Sequence, residues 1–197
     1  MIDLLPLEMQ ATMVETGVWH DWCPVALEDL RLITATYIDF NGITHEDGQI
    51  VVHHTVAEGT DRLFARLYAE KFPIHSMRLM QEFYGDDEAS MANNNTSAFN
   101  CRAIAGSSKI SLHAYGLAID INPVQNPCMT FDEEHHPTIS PVAGWEYMNR
   151  RNQKPGMIEP VITYVQEAGF PIWGGVWTYP IDYQHFQVER AVAEALG

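Results

Sequence analysis

Two polar stretches set the main constraint on this fold: Ser111-Leu-His-Ala-Tyr-Gly-Leu-Ala-Ile-Asp120 and, well downstream, Asp182-Tyr-Gln-His185. Together they offer two imidazoles and two carboxylates, a set that suits one metal ion and one general base. Only a fold that closes the intervening chain can unite them. A catalytic zinc ion takes three protein ligands from His, Asp, Glu and Cys and keeps its fourth position for water. His113, Asp120 and His185 supply such a set. Zinc lowers the pKa of its water from about 16 to about 7, and a carboxylate is then needed to take the proton and pass it to a leaving amine. Asp182 precedes His185 closely enough to reach the same site if the backbone turns appropriately.

At 197 residues the chain can bury a sizeable core within one domain. Lys and Arg number 11 against 26 Asp and Glu, and the net charge of −15 repels a phosphate backbone or an anionic membrane surface. No nucleic-acid partner is expected. Hydrophobic residues at 46% separate the chain from disordered sequences despite its acidity, and no apolar run approaches the length of a membrane span. Cys23, Cys101 and Cys128 allow at most one intramolecular bridge and form no paired zinc clip.

Residues 1–29 show no sustained period and read as an arm packed over a domain of residues 30–197. Leu30 to Phe40, the turn signal Asn41-Gly42 and Gln49 to Val52 predict a hairpin, with His45 in its connection and His53-His54 at its end. Neighbouring His side chains on a strand face opposite ways, so these two are not expected to share a metal. Thr55-x-x-Glu58 reads as a capping box opening an amphipathic helix that Pro73 forbids from continuing. Ile74 to Leu79 suggests a short strand, Gln81 to Thr96 a loop, and Ser97 to Ile104 a strand that delivers Arg102. Gly116 to Ile121 reads as a buried strand, and residues 124–154 as irregular. Within them Asp132-Glu-Glu-His-His136 reads as a solvated loop. A helix is expected over 159–168 with Gly169 just past its end, then a strand over Ile172 to Trp177 whose glycines permit close backbone approach, and a short helical tail. Strands first, scattered helices and no regular βαβ alternation favour an α+β class.

No rival nucleophile competes: there is no Gly-x-Ser-x-Gly elbow, phosphate loop or His-Glu-x-x-His helix, and Cys101 reads as a buried apolar residue. The pattern Ser-x-His-x-x-Gly-x-Ala-x-Asp over 111–120 continues into Ile121-Asn-Pro123 and Gln125-Asn-Pro127. With Trp173-Gly-Gly and Asp182-Tyr-Gln-His185-Phe186, it resembles the D-alanyl-D-alanine carboxypeptidase and L-alanyl-D-glutamate endopeptidase family of zinc peptidases. Ser90-Met91 and Asn94 to Arg102 extend the resemblance.

That resemblance implies a single small α+β domain whose antiparallel sheet carries a zinc site, as in Hedgehog signalling domains and DD-peptidases. It implies a metallopeptidase acting beside a D-amino acid in peptidoglycan peptides, with Zn2+ on His113, Asp120 and His185 and Asp182 as general base. Arg102 would hold or polarise the substrate near the scissile carbonyl, and Ser111 would orient the site or the substrate. The compartment it implies is the bacterial periplasm or cell envelope if an export signal has been removed, and the cytoplasm otherwise. A non-catalytic zinc-containing binding domain of the same fold is the alternative, and retention of Asp182 beside a full ligand set argues against it. The chain departs from the family in carrying Val176 after Trp-Gly-Gly and Gln187 after His-Phe, where relatives often have Asp and Glu.

Overall fold

The computed structural model describes residues 1–196. The chain begins with β1 (Ile2–Leu4) and α1 (Leu7–Glu15), followed by the long hairpin of β2 (Leu30–Ile38) and β3 (Thr44–His53). Next come α2 (His54–Ala69) and α3 (Asp87–Ala92), then β4 (Ala118–Asp120) and a second hairpin, β5 (Cys128–Phe131) and β6 (Pro137–Ser140). α4 (Ile162–Glu167), β7 (Ile172–Trp173), β8 (Ile181–Asp182), β9 (His185–Gln187) and α5 (Arg190–Glu194) complete the described chain. The strands form three antiparallel sheets in the orders β1-β2-β3, β4-β9-β7 and β6-β5-β8. This is a small domain of mixed helices and antiparallel sheets, compatible with the α+β class.

The first sheet and α2 make the base of the core. Val56, Leu63, Phe64 and Leu67 recur at helical spacing on the buried face of α2, and each such side chain contributes about 1.5–3 kcal/mol by leaving water. The predicted capping box is not what opens this helix. It starts at His54, and His53 serves as N-cap, its ring nitrogen accepting from Thr55 N. The return strand of the hairpin also begins earlier than Gln49, at Thr44, which places His45 in β3 and not in a loop. Asp47-Gly48 lies within that strand, and the Tyr37 ring covers Gly48: a Cβ there would stand 2.8 Å from Tyr37 Cδ1.

Residues 1–29 do more than lie over the core. β1 adds a strand to β2, and Leu5, Met13, Val18 and Val25 are buried in the main cluster. A disulfide joins Cys23 to Cys101 and anchors this segment to the chain leading to Arg102; Cys101 is therefore a bridge partner, not an inert apolar residue. Neither Ile74–Leu79 nor Ser97–Ile104 forms a regular strand; they make isolated bridges at Ser76–Asn95, Ser97–Asp120 and Ala103–Ile110. The expected loop over 81–96 is instead a 3-10 turn (Met80–Phe83) and α3, packed through polar side chains. Asn95 is fully buried because its amide meets Arg78 N and O and the Ser76 and Ser90 hydroxyls. A buried amide is tolerated when its donors and acceptor are matched in this way.

Residues 124–154, read as irregular, contain the β5–β6 hairpin, and Asp132 to His136 form its exposed tip. The strand expected over 172–177 is only two residues long before a 3-10 turn at Gly174–Val176. Among the described residues no helix is long and apolar enough to cross a membrane.

Candidate metal centre and active site

His113 rides on a 3-10 turn, Leu112–Tyr115, whose geometry several contacts fix. The Ser111 hydroxyl caps the turn by accepting from His113 N at 3.3 Å, and the His113 carbonyl accepts from Asn100 N at 3.2 Å. Gly116 ends the turn with φ +67°, and a Cβ there would stand 2.6 Å from His53 N. The position therefore requires glycine on two counts. Asp120 closes β4, and its register partner on β9 is His185. Cross-strand partners lie within about 4.5–5.5 Å, so the sheet itself brings the two downstream candidate ligands together.

The three side chains meet as a compact triangle. His113 Nε2 is 3.1 Å from His185 Nδ1, His185 Nδ1 is 3.0 Å from Asp120 Oδ1, and His113 Nε2 is 3.3 Å from Asp120 Oδ2. Tetrahedral zinc with bonds of about 2.05 Å puts its ligand atoms roughly 3.3 Å apart, so the residues fit the ion. The other ring nitrogens support that reading. His113 Nδ1–H donates to Ala98 O at 2.6 Å, and His185 Nε2–H donates to Gln187 Oε1 at 2.9 Å. Each imidazole consequently turns its remaining nitrogen toward Asp120 and toward the other, an arrangement that needs a cation or a proton between them.

In the metal-free protein that charge is a proton. Burial opposes it, but the Asp120 carboxylate outweighs burial and holds His185 up at about 9. Asp120 is correspondingly held well below the usual carboxylate range, burial being overcome by His113 and His185. At pH 7 metal entry must expel this proton. Zinc uptake is expected to release about one proton per site at pH 7, read by calorimetric titration in buffers of different ionisation enthalpy; affinity should climb about tenfold per pH unit until about pH 9. The same proton stabilises the metal-free fold below about pH 6.5, and the contribution is lost as pH rises through about 9.

Asp182 comes to the site from the third sheet, on β8, opposite Cys128 of β5. Its Oδ1 is buried and meets no hydrogen-bond partner. Burial pushes Asp182 up to about 6, Asp120 adding to the rise while His185 opposes it. A carboxylate so placed is a proton acceptor near neutrality. The Trp-Gly-Gly motif explains its position: a Cβ on Gly174 would stand 2.5 Å from Asp182 O and 3.0 Å from Asp182 Cβ, and Trp173 Nε1 donates to Tyr183 O at 2.9 Å. Trp177 lies against His185, with ring centroids 5.4 Å apart.

Arg102 forms an ion pair with Asp87 of α3, and its carbonyl accepts from Ser111 N at 3.0 Å. Three contributors were not singled out from the sequence: the Ala98 carbonyl, Cys128 opposite Asp182, and Arg150. Arg150 donates to Glu159, Asn126 Oδ1 and Gln125 O and lies over the Tyr183 ring at 4.4 Å, bracing the residue after Asp182. Among these, the partners Gln125 and Asn126 gave a signal as part of the extended motif, and Ala98 lies within the Asn94–Arg102 stretch that extends it. Gln187, noted as a departure, keeps a hydrogen-bonding role on His185, whereas Val176 is exposed.

The fold and the triangle together define a site able to hold a metal beside a buried carboxylate. Residues 105–188 match a family model described as D-alanyl-D-alanine carboxypeptidase, which bears out the resemblance read from the motifs and supports a peptidase. The matched segment holds His113, Asp120, Asp182 and His185 and leaves Arg102 outside. No curated protein and no solved structure matches the chain.

Proposed function

We propose that the protein is a zinc-dependent metallopeptidase that hydrolyses an amide bond beside a D-amino acid in peptidoglycan peptides, of the D-Ala-D-Ala carboxypeptidase or L-Ala-D-Glu endopeptidase type. The observation that carries this reading is the triangle of His113 Nε2, Asp120 and His185 Nδ1, with the outer ring nitrogens held by Ala98 O and Gln187. When bound there, zinc would supply an acidified water and polarise the scissile carbonyl.

The chain's own residues supply the proton path. Asp182 Oδ1, free of partners and raised toward neutrality, takes a proton from the attacking water and returns it to the leaving amine. Arg102, steadied by Asp87, would hold a substrate carboxylate or the developing oxyanion. Ser111 acts by fixing the turn of His113. The Cys23–Cys101 bridge favours the envelope reading over the cytoplasmic one, since disulfides persist in oxidising compartments.

A panel of defined muropeptides tests the proposal. Stripping the metal should abolish cleavage and added Zn2+ should restore it, with mass spectrometry locating the broken bond. Cleavage indifferent to a chelator, or products lacking a D-residue at the cut, would reject it.

A further inference from the structure

Among the described residues a second group of ligand-type side chains converges: Asp29, His53 and His54. One carboxylate oxygen and one ring nitrogen from each His lie within 4.8 Å of one another. Strand alternation predicts that neighbouring His side chains diverge, but β3 ends at His53 and α2 begins at His54. The change of backbone brings the two rings to a centroid separation of 4.3 Å. Asp29 arrives from the turn before β2, whose first residue, Leu30, is the register partner of His53.

Each imidazole has its Nδ1 beside an oxygen. His53 Nδ1 is 2.8 Å from Thr55 Oγ1, and His54 Nδ1 is 3.2 Å from Asp29 O. Facing a carbonyl, His54 donates its Nδ1–H and presents Nε2 as a lone pair, the arrangement used by metal-ligating His. His53 Nδ1 accepts from Thr55 N at 3.3 Å as the helix N-cap, so binding a metal through Nε2 requires its proton to move to Nδ1, where Thr55 Oγ1 stands ready to accept it. Asp29 uses Oδ2 to accept from Ala26 N, leaving its other oxygen free, and its charge offsets the positive end of α2. His53 is buried and His54 exposed, so the group opens to solvent on one side.

We propose that Asp29, His53 and His54 form a second transition-metal site, taking Zn2+ or a neighbouring first-row divalent ion through two imidazoles and a carboxylate. Its role is structural: the ion ties the start of β2 to the junction of β3 and α2. That junction supports the peptidase site, since His53 N donates to Gly116 O at 2.9 Å and Gly116 closes the turn that carries His113. The proposal stands on these residues alone and does not depend on the peptidase reading.

Metal-stripped full-length protein, titrated with Co2+ by absorbance and with Zn2+ by calorimetry, tests it. Wild type should bind two equivalents and His54→Ala one, and the Zn2+-induced rise in Tm should be smaller in the variant. His54 is exposed, so its loss spares the core, and circular dichroism verifies the fold. Asp29→Asn should weaken the same equivalent. If wild type binds one ion and His54→Ala none, this site stands and the metal reading of the peptidase site fails. His54→Ala binding as many ions as wild type overturns the proposal.

Discussion

Asp182→Asn is expected to keep its metal and lose activity by about two to four orders of magnitude, the range general bases contribute. The separation of these effects follows from the fold. Asp182 sits on β8 in the third sheet, while Asp120 and His185 are paired in the second and His113 is held by its own turn. Replacing a carboxylate by an amide of equal shape leaves all three ligands in place. The pH profile provides a second readout. Burial raises Asp182 to about 6 in the metal-free protein, and a bound cation would pull that value down. The acid limb of kcat/KM should therefore fall at or below about pH 6, tenfold per unit, and be absent from the residual activity of the variant. Full activity with bound zinc in Asp182→Asn would remove the residue from the proton path.

Gln187→Leu should lower zinc affinity by about 10–100-fold while leaving kcat near normal once the metal saturates. Gln187 Oε1 is the acceptor for His185 Nε2–H at 2.9 Å, and the residues are two apart on β9, on the same face of the sheet. Without it the imidazole loses the contact that fixes which nitrogen faces Asp120, and a buried N–H is left unpaired at a cost of about 1–3 kcal/mol. Gln187→Glu should bind zinc at least as tightly as wild type because the acceptor remains and gains charge. Competition against a chromogenic chelator measures both variants. Unchanged affinity in Gln187→Leu would show that Trp177 and the sheet orient His185 unaided.

The candidate site was largely legible in the sequence. The spacing of His113 and Asp120, the Asp182-x-x-His185 pair and the Trp-Gly-Gly signal are local properties of short segments, and their chemistry is carried by side-chain type. Long periodic segments were legible for the same reason: the buried stripe of α2 and the hairpin of β2 and β3 repeat often enough to be read. The segments that misled are short or polar. β1 has three residues, too few for a period, and the buried Asn94-Asn95 run mimics a loop because its amides meet side chains and backbone remote in sequence.

What the sequence determined by itself is the donor set, two imidazoles and two carboxylates, and the family its motif matches. The tertiary structure decided how those groups are divided. The antiparallel register of β4 and β9 makes Asp120 and His185 neighbours, the packing of Asp182 against Gly174 accompanies a buried Oδ1 without a hydrogen-bond partner, and Ala98 O and Gln187 set the imidazole orientations. The structure also brought together Asp29, His53 and His54, because the passage from strand to helix between adjacent residues cancels the alternation on which their separation was predicted. Orientation depends on backbone path and on contacts between residues far apart in the chain, and neither is written in the spacing of side chains.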